Sequence, residues 1–215
     1  MASAIEQLTS LVHAEGRYDI PHAELRDRQI EAVNERFQDR KDRIKLLAHR
    51  ARQAGLSEIR SMEDMVKVLF PHTAYKSYPE SFLMDRKWDK LGKWLDTVST
   101  HRVPALDPST IRDVDDWLAH LEQHHLYVSC SSGTSGKSAM LVASQQDMQW
   151  CLVEPVAAYS WGSGVKPARD RRIFGLAPVA SAPRNHYTGE AYRKALQDPD
   201  SAPFAYPVPP ITVGD

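Results

Sequence analysis

Cysteine is scarce in this sequence: Cys130 and Cys151 are the two among 215 residues. They cannot form a disulfide framework, and neither sits in the CxxC or CxxxxC spacing that zinc or an iron–sulfur cluster uses, so both are expected to be free thiols. Long apolar runs are also missing. No uncharged stretch approaches the ~20 apolar residues that cross a bilayer, and Met1 to Glu6 lacks the basic start and apolar run of a secretory signal. No membrane span and a cytoplasmic location are therefore expected. Charge of one sign is absent as well, with 27 Lys plus Arg against 28 Asp plus Glu. Such a chain has no global field to attract a polyanion, which disfavours nucleic acid as a partner. There is no internal repeat, heptad array or low-complexity tract.

What is present is an ordinary globular composition, 42% hydrophobic and 26% charged, enough for one domain or two small ones. From Pro21 to Ala54 the apolar residues Leu25, Val33, Phe37, Ile44, Leu47, Ala48 and Ala51 recur at helical spacing, and Gly55 supplies a stop. Ser3 to Glu15 reads as a shorter helix. Ser61, three residues before Asp64, caps another that must end by Phe70-Pro71. The segment Phe70 to Pro79, with two prolines and three aromatics, is too apolar for a solvated linker and reads as an ordered, packed loop. Trp88, Leu91, Leu95 and Val98 mark one amphipathic helix. Beyond the turn at Asp107-Pro108-Ser109, Val114, Trp117, Leu118 and Leu121 mark another, with both tryptophans expected as core anchors.

The pattern changes near residue 126. Leu126 to Cys130 and Ala139 to Ala143 read as strands flanking a Gly/Ser/Thr loop. Ser144 then caps a helix with Met148, Leu152, Val156 and Tyr159 on one side, which Pro155 should kink or end early. Arg172 to Pro178 reads as a further buried strand. The tail carries Pro199, Pro203, Pro207, Pro209 and Pro210 among apolar residues, suiting a polyproline-like arm or the approach to a strand. The expected class is α/β (α+β): a helical region over 1–125 and the start of an α/β nucleotide-binding part over 126–215.

Residues 131–138, Ser-Ser-Gly-Thr-Ser-Gly-Lys-Ser, carry the strongest chemical signal. Two glycines permit tight turns, successive N–H groups can face one concavity, the hydroxyls can donate to phosphate oxygens, and Lys137 adds a mobile point charge. The plainer alternative is a Gly/Ser-rich surface turn with Lys137 solvated. Hydroxyls, glycines and lysine at close spacing behind a strand favour the cradle. A Walker loop is a near match through Gly136-Lys137-Ser138, but Ser131 stands where its first glycine belongs. It should also open directly into a helix and be followed by a strand ending in an acid.

The run Tyr127-Val128-Ser129-Cys130-Ser131-Ser132-Gly133-Thr134-Ser135-Gly136-Lys137 resembles the phosphate motif of adenylate-forming enzymes, the superfamily of acyl-CoA synthetases, luciferases and peptide-synthetase adenylation domains. Its form is similar to that of phenylacetate-CoA ligases and bacterial luminescence acyl-protein synthetases, with a weaker likeness over 60–180. The resemblance implies the first strands of an adenylate-forming N-terminal domain. In it Ser131, Ser132, Gly133, Thr134, Ser135, Gly136 and Lys137 hold the phosphates of ATP with Mg2+. A carboxylic acid, acyl or aryl, attacks the α-phosphate, and the acyl group then passes to a thiol of CoA or a carrier protein. Ser138 and Ala139 depart from the Pro and second Lys of many relatives. The family's adenine, ribose and magnesium contacts and its mobile-domain lysine come later than Asp215, so the chain is expected to be an N-terminal part of a longer enzyme. No catalytic residue is assigned. The rivals are the Walker-type phosphotransferase and a non-catalytic helical adaptor with a vestigial loop.

Lesser candidates lie elsewhere. Residues 181–187 read as a polar loop at a strand end, which the resemblance places near the acyl pocket; Arg184 would pair with a carboxylate or phosphate there and His186 would orient one. His72, His124 and His125 lack metal-ligand spacing and are read as structural. Cys130 reads as a small buried residue rather than an acyl acceptor. Lys166, Arg169, Arg171 and Arg172 form a basic cluster that suits either a CoA or carrier partner or a solvated turn.

Overall fold

The computed structural model describes residues 2–12, 14–131, 137–174, 183–202, 209 and 212, with the backbone alone at 185. Contacts divide the chain into two compact units, residues 1–74 with 94–102 and residues 75–93 with 103–215. Most of the described residues are helical, and a small antiparallel sheet of two strands makes the class α+β.

The first unit opens with α1 (Ala4–Leu11) and α2 (His22–Arg40), followed by α3 (Lys45–Ala54) and α4 (Met62–Val68). Ser3 caps α1 reciprocally with Glu6, satisfying two of the amides every helix start leaves unbonded. Glu35 of α2 adds a second cap, its carboxylate accepting from the Ala4 and Ile5 N–H groups at 2.8 and 3.0 Å. The continuous helix expected over 21–54 is instead two, broken at residues 41–44. No Pro or Gly marks the break. Ile44 turns to an extended backbone and is buried, and α3 brings Ala51 and Leu47 into one core with Phe37, Val33, Ile59 and Val68. Burial of that apolar face outweighs the small propensity gain of continuing the helix. Gly55 ends α3 in the left-handed conformation at φ +65°, with Leu56 N–H donating to Ala51 O at 2.9 Å.

In the second unit, a short α5 (Ser81–Met84) precedes α6 (Trp88–Val98), whose final residues belong to the first. Trp88 stacks on Trp117 of α7 (Val114–Gln123), with ring centroids 6.2 Å apart. Both tryptophans are buried, as the sequence predicts. Gly92 meets Val103 so closely that an added Cβ would lie 2.8 Å from its Cγ1. His125 takes φ +59° after α7, and Leu126 N–H donates back to Leu121 O. Leu126 thereby closes the helix, and β1 (Tyr127–Cys130) starts one residue later than expected. It pairs with β2 (Met140–Ala143).

Ser144 and Asp147 cap α8 (Gln145–Ser163) reciprocally. Of the kink or early end expected at Pro155, the early end does not occur, and α8 runs on to Ser163. Proline removes one helix hydrogen bond at a cost of about 3 kcal/mol, but α8 packs along α9 (Pro183–Leu196). The Tyr192 hydroxyl donates to the Pro155 carbonyl at 3.3 Å. The strand expected over 172–178 is not formed in its described part. Arg171 makes an isolated parallel bridge to Gln197, and Phe174 is 73% exposed. An apolar run becomes a strand only beside a ladder partner, and these residues have none among those described; 175–178 lie outside them. Most of the proline-rich tail also lies outside the described residues.

Candidate functional site

The hairpin positions the loop. Tyr127 pairs with Ala143 and Cys130 with Met140, and the ladder continues one step as Ser131 N–H donates to Ala139 O at 3.0 Å. Ala139 N–H donates in turn to Ser131 Oγ at 2.8 Å. This pair closes the neck of the loop, and among the described residues the hydroxyl of the exposed Ser131 donates to no acceptor. Ser132, Gly133, Thr134, Ser135 and Gly136 lie outside the described residues. Lys137 is followed by strand β2 and not by a helix, so the helix N-terminus on which a Walker loop rests its phosphates is not supplied here.

Lys137 and Ser138 are tied to a residue far back in the sequence. The Lys137 ammonium donates to the Tyr78 carbonyl at 2.5 Å and stands 5.0 Å from the centre of the Tyr78 ring. The Tyr78 hydroxyl donates to the Ser138 carbonyl at 2.8 Å. Tyr78 is fully buried, delivered by the packed loop that Pro71 and Pro79 frame, within which His72–Lys76 forms a 3-10 turn. Burial pushes its phenol up to about 12, with Cys130 and Glu80 adding to the shift. The hydroxyl is thus a donor at any ordinary pH. Sequence reasoning identified the loop over 70–79 as ordered but did not connect it to the phosphate motif. The available signal was a tyrosine in a proline-framed apolar loop, which names no partner.

Cys130 is half-buried beside this site. Burial pushes its thiol up to about 12, with Asp115 contributing. A thiol held neutral is a poor nucleophile, which agrees with the structural reading of this residue.

Arg184 and His186 are not on a loop: they occupy the first turn of α9, both exposed. Pro183 stands at the first helical position, where its fixed φ and missing N–H suit a helix start, and this outweighed the polar composition of 181–187. Arg184 lines a cleft of about 600 Å3 with Ser129, Leu141, Met148, Trp150 and Glu154. Neither Ser131 nor Lys137 is among its described walls. His186 instead packs edge-on to Tyr187, 6.4 Å between ring centres, and Tyr187 packs on Tyr127 of β1. The structure therefore brings Arg184 to the hairpin strands and leaves His186 on the aromatic side of α9.

Comparison with known proteins adds no relative. No family model, curated protein or solved structure matches this chain. Among the described residues, no three His, Cys, Asp or Glu side chains gather as a metal set, and no helix is long and apolar enough to cross a membrane. In the basic cluster, Arg171 pairs with Asp170 at 2.6 Å. Arg169 lines a second cleft with Arg193, Lys194, Glu190 and Asp198, where acids and bases alternate.

Proposed function

We propose that this chain carries the phosphate-binding loop of an adenylate-forming enzyme, which activates an acyl or aryl carboxylic acid with ATP and passes the acyl group to a thiol of CoA or a protein. The observation that supports this reading is that the hydroxyl-, glycine- and lysine-rich run is entered and left by paired antiparallel strands, joined at Ser131 and Ala139. The donor set suits a polyphosphate: Ser131 keeps a proton to donate, and Lys137 supplies a charge on a flexible stem. ATP, when bound, supplies the adenylyl group, with pyrophosphate as the leaving group. Lys137 and the loop donors would stabilise negative charge gathering on the departing pyrophosphate, a purely electrostatic contribution. Magnesium would be held by phosphate oxygens of ATP, water and one or two carboxylates, which the resemblance places outside residues 131–138. Arg184, in the cleft beside β1 and β2, is the candidate to pair with the substrate carboxylate; His186, which packs on Tyr187 and is not among that cleft's walls, is the weaker candidate.

The strand that follows Lys137 favours this reading over a Walker-type phosphotransferase. One observation favours the adaptor: the Lys137 ammonium is engaged by protein, as a purely structural lysine would be. ATP–pyrophosphate exchange by the full-length protein, run against a panel of carboxylic acids, separates the two. Exchange dependent on one acid class is expected. Lys137→Ala should lower it by about a hundredfold, the scale for losing one donor to transition-state charge, with an unchanged melting temperature. Exchange that survives this substitution would count against the phosphate loop, and absence of any ATP binding would leave the adaptor.

A further inference from the structure

One buried residue makes three contacts to the end of the 131–138 loop, two by its side chain and one by its backbone carbonyl, across 59 and 60 positions of sequence. The Tyr78 hydroxyl holds the Ser138 carbonyl, its own carbonyl accepts from Lys137, and its ring lies under the ammonium. Burial alone does not call for the hydroxyl; a phenylalanine would fill the same space, keep the ring and carbonyl contacts, and lack the bond to Ser138. The hydroxyl acts on the backbone next to the lysine, and the carbonyl and ring act on the charge itself.

We propose that Tyr78 is a positioning residue for Lys137, fixing the ammonium at the loop before any ligand arrives. The inference rests on the phosphate-loop reading of residues 131–138. An ammonium has three donors, and the Tyr78 carbonyl takes one, leaving two for phosphate oxygens. A lysine free on its stem would lose rotamer freedom on binding an anion, whereas one held by ring and carbonyl has lost most of it already. The Tyr78 contacts should therefore strengthen anion binding. Had Tyr78 instead sequestered Lys137 from ligands, loosening it would strengthen binding, so the sign of the effect decides between them.

The test uses the 215-residue chain, inorganic pyrophosphate as probe, and the acylation rate of each lysine followed by mass spectrometry. Lys93, whose side chain is 79% exposed, serves as internal reference. In the unsubstituted chain Lys137 should acylate more slowly than Lys93, and pyrophosphate should slow it further. Tyr78→Phe keeps the ring and backbone and removes the hydroxyl. It should weaken pyrophosphate binding by about fivefold, the scale of one hydrogen bond, and raise the Lys137 to Lys93 rate ratio. General destabilisation would speed Lys41 and Lys87, which are half-buried like Lys137, in step with it, so a rise shared by these lysines, or no rise at all, would overturn the proposal. Unchanged or tighter pyrophosphate binding in Tyr78→Phe would overturn it too, as would equal rates for Lys137 and Lys93 before any substitution, a result that does not depend on the variant folding. If pyrophosphate protects no lysine in the unsubstituted chain, the phosphate-loop reading fails; a raised rate ratio in Tyr78→Phe would then still support the anchor.

Discussion

Both units cap helices locally, Ser144 doing so in the second; what the second adds is a set of ring, hydroxyl and close-packing contacts that join segments apart in sequence. In the first, α1 and α4 are capped by Ser3 and Ser61, each bonding an amide three residues on, and α3 is stopped by Gly55. In the second, the contacts that matter span the sequence: Tyr78 to Lys137 and Ser138, Trp88 to Trp117, Gly92 to Val103. A local cap stabilises one helix end and can be lost without disturbing the rest. A long-range contact holds segments that have no other reason to meet, so its loss should be larger and should spread.

Four measurements bear on this contrast. Trp117→Ala empties a fully buried site in the second unit and should cost about 3–5 kcal/mol in denaturant unfolding; a loss near that of a single cap would break the comparison. Gly92→Ala places a methyl group against Val103 Cγ1 and should cost about 1–3 kcal/mol by overpacking. Adding Val103→Ala should return part of that loss, and simple additivity of the two would show that the close approach is not its cause. Ser61→Ala removes the α4 cap and should cost about 1 kcal/mol. Amide exchange should then quicken in residues 62–68 while α2 and α3 keep their protection.

The smallest effect concerns Glu35, a first-unit contact that is itself long-range. The Ile5 and Ala4 amides lower its carboxyl below the ordinary value of 4.5. A depressed folded value contributes stability that is present above the unfolded value and lost as pH falls through the folded one. Amide exchange at Ala4 and Ile5 should therefore be independent of this group above about pH 5 and lose protection below 4.5. The same loss in Glu35→Gln at neutral pH would confirm the cause, whereas unaltered protection in that variant would reduce Glu35 to a bystander.

Much of this molecule was legible in the sequence because its signals are local. Ser61, Gly55 and Ser144 act on residues within about one turn, and the apolar spacing of Trp88, Leu91, Leu95 and Val98 marks a helix whatever it packs against. The hairpin strands were readable to within a residue at their starts. Of the candidate site, the proposed phosphate loop rests on residue type and spacing alone, read without reference to the rest of the chain.

Tertiary structure decided the remainder. The break at residues 41–44, the passage of α8 through Pro155 and the helical setting of Arg184 and His186 are outcomes in which packing or a helix-start proline overrode local composition. Tyr78 illustrates the limit most plainly. Its type and loop were visible, but a hydroxyl and a carbonyl carry no label for their partners, and only the folded chain brings them to Ser138 and Lys137. Capping groups and hydrophobic periodicity act over a few residues and can be read in order along the sequence. A contact across sixty positions depends on how every intervening element packs, and that is fixed by the fold alone.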